Sequence, residues 1–430
     1  MRARPALAIA MVTVTVGFLA GVQYWRGFFD LSIYFGAVRF WSDGGALYDY
    51  LLPETSYGFT YPPFAALAMA PMAVVSWPVV IAGSVLANLG CLALLAYWFV
   101  TPIARRRRWT PWFAVIAAAC LLALLEPVYD TFSFGQVNLV LMVLVFADAR
   151  LLAGTTRFRR FGRYAGVGIG LAAALKLTPA IFVIYLVLTG RRRAAAIATG
   201  TAAGATLLAA VIAPGTSWTY WTATLWQTER VGSLAYISNQ SILGALVRLD
   251  PSRPPSTLVW LVLVAAALAL WAYHVRRSLD RSDVLTGFAL TGAVACLVSP
   301  ISWVHHLVWL IPGLVLTVDA GLREPVVARR RRLLGAAAAA YLVLCSSLVF
   351  LWRFDAGGVD GFLGGSAFTW VALGLLMSLP VVRGTATAAL PLGTHPAAMA
   401  GATPGHVGPG AAYRQAGSGA APGREGLGRR

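Results

Sequence analysis

Of the 34 Lys and Arg residues in this chain a single one is lysine, Lys176, and it stands between Leu175 and Leu177 inside an apolar run. An ionisable group at membrane depth is a functional candidate by default, and a compact ammonium on a flexible stem suits a phosphate oxygen. Snorkelling of the stem to an interface is the ordinary alternative. The complementary chemistry is that of a carboxylate. Asp30 follows the first apolar run with Tyr34 one helical turn later, so a short interfacial helix puts both on one face. The plainer reading of Asp30 is a cap on that helix. Asp43, Asp49 and Glu54 lie in the same segment and compete with Asp30 on composition alone.

Other polar groups recur at the borders of apolar runs. Phe59-Thr60-Tyr61-Pro62-Pro63-Phe64 ends the first loop with aromatics and a rigid proline pair, where an aromatic belt is the ordinary explanation. The stretch Glu126 to Asn138 places Gln136 and Asn138 at the mouth of the next helix, where amides either satisfy backbone groups or bind a ligand. Asn239-Gln240-Ser241 with Arg248, and His305-His306 after Pro300, add two more clusters. The histidines lack the partner spacing of a metal site. There is no phosphate-binding Walker loop, no dinucleotide glycine motif, no Asp-x-Asp pair and no Gly-x-Ser-x-Gly elbow, so a nucleotide-fuelled reaction is not expected. An activated substrate should come through the membrane itself.

The elements that must position these groups are membrane helices. With 59% hydrophobic and 12% charged residues the chain cannot close a water-soluble surface, for which about a quarter charged residues is usual. Apolar runs of about 20 residues recur from Ala6 to Val382. The first has no cleavage region after it and reads as a retained helix. The net charge of +18 stands in short clusters between spans, which argues against a nucleic-acid partner and reports orientation instead. Arginines 105 to 108, 157 to 163, 191 to 193, 276 to 281 and 323 to 332 are expected on the cytoplasmic side, with the N-terminus inside. Spans then fall near 6 to 25, 62 to 100, 109 to 127, 136 to 152, 194 to 213, 257 to 275, 284 to 300, 305 to 320, 333 to 352 and 367 to 383. Prolines divide 62 to 100, which reads as one crossing with a bent or interfacial lead-in. The run 164 to 190, arginine-flanked and broken at Lys176, Thr178 and Pro179, reads as two short helices that dip in and return.

This threading sends Asp30, Asp43, Asp49, Glu54, Glu126, Asp130, Glu229, Asp250, Asp355 and Asp360 to the opposite, outer side. The fold class is therefore all-α: a polytopic transmembrane helical bundle of about 12 membrane helices with a long first extracytoplasmic loop, 26 to 61. The four cysteines fall inside apolar runs and read as packing residues. No internal repeat is evident. Residues 1–384 form the membrane domain, and from 385 to 430 the Gly-, Ala- and Pro-rich composition predicts a disordered cytoplasmic tail.

Taken in order, Asp30 with Tyr34, Leu47-Tyr48-Asp49, Tyr61-Pro62-Pro63-Phe64, Gly135-Gln136-Val137-Asn138, Lys176-Leu177-Thr178-Pro179, Asn239-Gln240-Ser241 and His305-His306 resemble glycosyltransferase family 87. These are actinobacterial polyprenol-phosphate-mannose-dependent α-mannosyltransferases of the GT-C class. The likeness runs from about residue 28 to about 310 and rests on the order and spacing of short motifs. An Ala- and Arg-rich, nearly lysine-free composition also fits a high-GC actinobacterial source. The resemblance implies a GT-C bundle in the plasma membrane with its site on the extracytoplasmic face. It implies a polyprenyl-phosphate sugar donor drawn from the membrane lipids, a membrane glycolipid or lipoglycan acceptor, and no cofactor or metal.

By position, the family's catalytic carboxylate falls on Asp30. Tyr34, His305 and His306 are grouped with it, and Asp49, Tyr61, Gln136, Asn138, Lys176, Asn239, Gln240 and Arg248 are the implied substrate-binding set. One carboxylate taking the acceptor's proton in a single displacement implies inversion. The phosphate leaving group then needs only donors or cations such as Lys176, Arg248 or a histidine. An arabinosyltransferase using a lipid-phosphate arabinose remains open within the family. A lipid-linked substrate transporter or flippase would explain Lys176 and the broken pair, but not the acids gathered in one outer loop.

Overall fold

The computed structural model describes residues 3–154, 161–279, 283–354 and 356–379, and the expected tail, 385 to 430, lies outside them. Among the described residues there are helices and no named strand. In chain order the α-helices are α1 (Ala3–Arg26), α2 (Phe29–Ser42), α3 (Pro63–Met69), α4 (Trp77–Arg106), α5 (Pro111–Ala123) and α6 (Glu126–Phe134). Then come α7 (Asn138–Leu152), α8 (Val167–Leu175), α9 (Ile181–Leu188), α10 (Arg192–Ile212), α11 (Pro214–Thr222) and α12 (Ile242–Leu249). The last are α13 (Thr257–Leu279), α14 (Val284–Val298), α15 (Ile311–Arg323), α16 (Val327–Cys345), α17 (Gly358–Leu363) and α18 (Ala367–Ser378).

Five helices are long and apolar enough to cross a membrane, or six if α5 and α6, bent by 75° at Leu124–Leu125, count as one broken span. Five further apolar helices are shorter, 10–17 residues. Against an expectation of about 12 membrane helices, the full-length and shorter apolar helices together come to ten, or eleven with the bent pair, among the described residues. The doubtful segment 62 to 100 resolves as expected: Pro63–Val74 is a short apolar lead-in, and α4 with its 30 residues is about 45 Å long, enough for one crossing. The four cysteines are unpaired.

The run around Lys176 folds as the sequence implies. α8 stops at Leu175, a 3-10 turn spans Thr178–Ala180, and α9 leads away. Glycines decide how closely α8 packs. A Cβ at Gly168 would stand 2.1 Å from the Leu144 carbonyl oxygen on α7, and one at Gly170 would stand 2.4 Å from the Ala198 oxygen on α10. Only hydrogen side chains let α8 lie in this slot, and the slot delivers Lys176 to the level of Asn138, the first residue of α7.

The segment 26 to 61, largely irregular in sequence, is ordered by its own core. Tyr34, Tyr48, Phe59 and Tyr61 are buried together, and Tyr48 stacks on Tyr220 of α11 at 5.6 Å. Each such aromatic pair adds about 0.5–1.5 kcal/mol beyond its buried area. The loop also holds more helix than expected, because α2 runs 14 residues. Asp30 does not cap it: the cap position is Phe28, with no side-chain cap bond. The two ends of the bundle carry different charge partners. Arg26 pairs with Asp130 at one end, while Arg106 and Arg323 pair with Asp319 at the other.

Gly168→Ala should lower stability by about 1–3 kcal/mol through overpacking. Thermal unfolding of the detergent-solubilised protein checks this. Gly200→Ala, whose added Cβ would meet nothing within 4 Å, should leave the midpoint unchanged or slightly raised.

Candidate active site

The site is assembled where α2, α6, α7, the α8–α9 break and the 3-10 turn Val304–Leu310 converge. A tight turn after α1 starts the arrangement: the Phe28 amide donates to the Ser133 carbonyl at 3.0 Å, tying the start of α2 to α6. α6 ends at Gly135, whose φ of +71° favours glycine and whose absent side chain makes room for Leu31, 2.5 Å from where a Cβ would sit. That close approach puts the next residue, Gln136, within reach of Asp30. The Asn88 side chain, from the middle of α4, donates to the Gln136 carbonyl at 3.2 Å and fixes its backbone.

From there one hydrogen-bonded chain runs through the predicted residues. Gln136 Nε2 donates to Asp30 Oδ2 at 2.6 Å, and Gln136 Oε1 accepts from the Tyr61 hydroxyl at 2.8 Å. The Tyr61 oxygen accepts from Tyr34 at 2.9 Å and from Lys176 Nζ at 3.1 Å. Lys176 also donates to Asn138 Oδ1 at 3.2 Å and meets His306 Nε2 at 3.0 Å. An ammonium can only donate, so Nε2 is the acceptor and the ring proton sits on Nδ1, beside the Ile301 carbonyl. The ammonium ends on protein groups: a phenol, an amide and an imidazole. No ion pair among the described residues includes it, and Asp30 acts on it only at longer range.

Asp30 is half-buried, and its second carboxylate oxygen has no protein hydrogen bond among the described residues. Burial raises its carboxyl from 3.8 to about 6, against the lowering effects of the Gln136 hydrogen bond and the Lys176 charge. Burial likewise holds Tyr34 and Tyr61 well above the usual phenol range, so both remain hydroxyl donors. His305 is buried edge-on to Phe134 and to His306, and its Nε2 has no partner among the described residues. Its backbone oxygen accepts from Asn138 Nδ2 at 3.0 Å. The void beside Lys176, bounded by Asn138, Thr178, Ser302, His306 and Trp309, measures about 10 Å³. That is room for about one water, so a phosphate must displace one of the neutral partners to reach the ammonium. Among the described residues no three His, Cys, Asp or Glu side chains converge as metal ligands do.

Asp30, Tyr34, Tyr61, Gln136, Asn138, Lys176 and the two histidines are thus brought together. Asn239, Gln240 and Arg248 form a separate, fully buried knot. Arg248 donates to the Asn239 carbonyl at 2.8 Å and to Ser366 Oγ at 2.9 and 3.1 Å. The Asn239 side chain holds the Pro300 carbonyl and the Ser302 amide, and Gln240 holds Gly365 and Thr369. These residues touch protein and position the segment that leads into His305. Asp49 is exposed, and its carboxylate has no hydrogen bond or ion pair among the described residues. Sequence reading missed Asn88, whose signal was an amide in the middle of an apolar span. It also missed the rim formed by Phe29 with Tyr57 at 5.4 Å, and by Tyr236 with Trp303 at 6.0 Å, joined where both Tyr57 and Trp303 abut Gly232.

Residues 59–300 match the model of glycosyltransferase family 87. A polyprenol-phosphate-mannose-dependent alpha-(1-2)-phosphatidylinositol mannoside mannosyltransferase of Mycobacterium tuberculosis is 35% identical over 343 residues, covering 74% of this chain and 78% of that protein. A protein of the same description from Mycolicibacterium smegmatis is 33% identical over 392 residues, covering 83% and 84%. A phosphatidylinositol pentamannoside mannosyltransferase of M. tuberculosis is 30% identical, covering 75% and 74%. No solved structure matches the chain. With more than half of its length matched by the family model and two relatives aligned over most of both chains, this protein belongs to glycosyltransferase family 87.

Proposed function

We propose that the protein transfers mannose from a polyprenyl-phosphate-mannose donor to a phosphatidylinositol-mannoside-type glycolipid, with inversion and Asp30 as general base. The observation that carries this reading is the hydrogen-bonded chain from the Asp30 carboxylate through Gln136 and Tyr61 to the Lys176 ammonium. It supplies a proton acceptor and a phosphate-binding cation in one site. The acceptor hydroxyl attacks C1 of the mannose as its proton passes to the open oxygen of Asp30. The C1–O bond to phosphate breaks, and polyprenyl phosphate leaves with the bonding pair. Lys176, with the His305 Nε2 that lacks a protein partner, meets the charge developing on that phosphate. Attack from the Asp30 side in one displacement converts a β-linked donor into an α-linked product. The names of the relatives support mannose over arabinose and a phosphatidylinositol mannoside as the acceptor class. The clustering of arginines in the loops on one side of the expected threading supports a plasma-membrane protein with this site on the extracytoplasmic face.

Purified protein with synthetic polyprenyl-phosphate mannose and a phosphatidylinositol mannoside should transfer the sugar in the presence of EDTA. Loss of activity to the chelator would defeat the metal-free mechanism. Asp30→Asn should cut kcat by between about 100- and 10,000-fold, the range a positioned base supplies, with donor binding retained. Because the base must be deprotonated, kcat/KM should fall about tenfold per unit below pH 6 and level off above it. Gln136→Ala removes a hydrogen bond that lowers the Asp30 carboxyl, so this acidic limb should move to higher pH. Lys176→Met should weaken donor binding at least tenfold in an equilibrium assay, while an unchanged affinity would assign the ammonium a structural role.

A further inference from the structure

At the opposite end from Asp30 the bundle holds a cavity of about 840 Å³ that the transfer reaction does not use. It opens between α4, α5, α15 and α16, with Trp109, Phe113, Leu121, Leu314, Leu334 and Tyr341 among its walls. Along α5 the lining runs from Thr110 to Leu121, about 17 Å of helix, or half the hydrocarbon thickness of a bilayer. The cavity is therefore one leaflet deep. Its volume falls within the range of about 300–1,000 Å³ usual for pockets that enclose a ligand.

The mouth is basic. Arg4 and Arg108 line it, and Arg105 lies one turn back at the end of α4. The neighbouring cations have protein partners: Arg4 donates to Thr110, Arg106 pairs with Asp319, and Arg107 donates to the Leu322 carbonyl. The guanidinium groups of Arg105 and Arg108 have no hydrogen-bond or ion-pair partner among the described residues. An apolar slot one leaflet deep under two unengaged guanidiniums matches a molecule with a hydrocarbon chain and an anionic head. The sugar donor cannot be that molecule while its phosphate is at Lys176, which lies at the other end.

We propose that this cavity seats one acyl chain of an anionic glycerophospholipid, with the headgroup phosphate against Arg105 and Arg108. The site is independent of the transfer reaction and anchors α5 and α16 to the leaflet at the arginine-rich end. Arg106 stays with Asp319, so the two free arginines are the ones that read the headgroup.

The full-length protein, exchanged into vesicles of phosphatidylglycerol or phosphatidylcholine and re-extracted in mild detergent, should retain about one phosphatidylglycerol per chain by native mass spectrometry. It should retain far less phosphatidylcholine. Arg105→Gln with Arg108→Gln should reduce that retention on the order of tenfold, as expected for two arginines near an anionic lipid surface. Ala118→Trp, which fills the slot, should abolish it, with helix content by circular dichroism confirming the fold. Should Ala118→Trp fail to fold, the arginine pair at the surface carries the test alone. Equal retention of the two lipids, retention unaffected by either variant, a polyprenyl phosphate in the slot, or a second copy of the chain covering it would each overturn the proposal.

Discussion

An ammonium at membrane depth, met only by neutral partners, is the constraint on which the rest of this structure turns. Removing such a cation from water costs roughly several kcal/mol unless its donors are satisfied. Lys176 meets that demand with a phenol, an amide and an imidazole drawn from three different parts of the chain. To bring them together α8 must end at Leu175, α7 must begin at Asn138, and the segment after Pro300 must turn back as a 3-10 helix. The glycines of α8 set the depth at which the ammonium sits. None of these partners carries a negative charge that would neutralise it.

The spacing of the two charged groups sets the acidity of the Asp30 carboxyl. Had Asp30 formed a direct ion pair with Lys176, the carboxylate would have been held far below neutrality, and a weak base would have resulted. Gln136 and Tyr61 stand between them instead. The amide gives one hydrogen bond to the carboxylate, enough to orient it, while burial carries the acid up to about 6. Tyr61 uses its single proton on Gln136 and both lone pairs on Tyr34 and Lys176, so rotation of one group disturbs the others. The carboxylate and the ammonium are thereby set at a fixed separation without cancelling one another.

Much of this was legible in the sequence because membranes simplify the code. A lone lysine between leucines and proline breaks at 62–63 and 179 each have few physical meanings in lipid, and the helices do break at those places. Roles that depend on direction were not legible. Asn239, Gln240 and Arg248 look like Asn138 and Lys176 in sequence, polar groups beside apolar runs, yet their donors and acceptors turn onto the carbonyls of Asn239, Pro300 and Gly365 and the hydroxyl of Ser366. On spacing alone Asp30 read more readily as a helix cap, because a residue in the first turn can bond forward to a backbone amide or sideways to Gln136. Only the approach of Gly135 to Leu31 decides between them.

The same distinction explains how a loop with little regular structure can hold a catalytic-quality geometry. Helix α2 would be marginal alone, since short helices in water lack packing, and Asp30 gives it no cap. Its position is fixed from outside: Phe28 is bonded to Ser133, Tyr34 to Tyr61, and the Tyr48 hydroxyl to the Tyr61 carbonyl at 2.9 Å. Arg230 reaches from the far side to the Tyr48 carbonyl. Tyrosines do this work because each offers a wide apolar ring to the loop core and one polar atom to the network. Replacing the ring packing with flexible aliphatics would leave the core intact in area and still release the carboxylate. The loop's order is therefore bound to the same hydroxyls that connect Asp30 to Lys176.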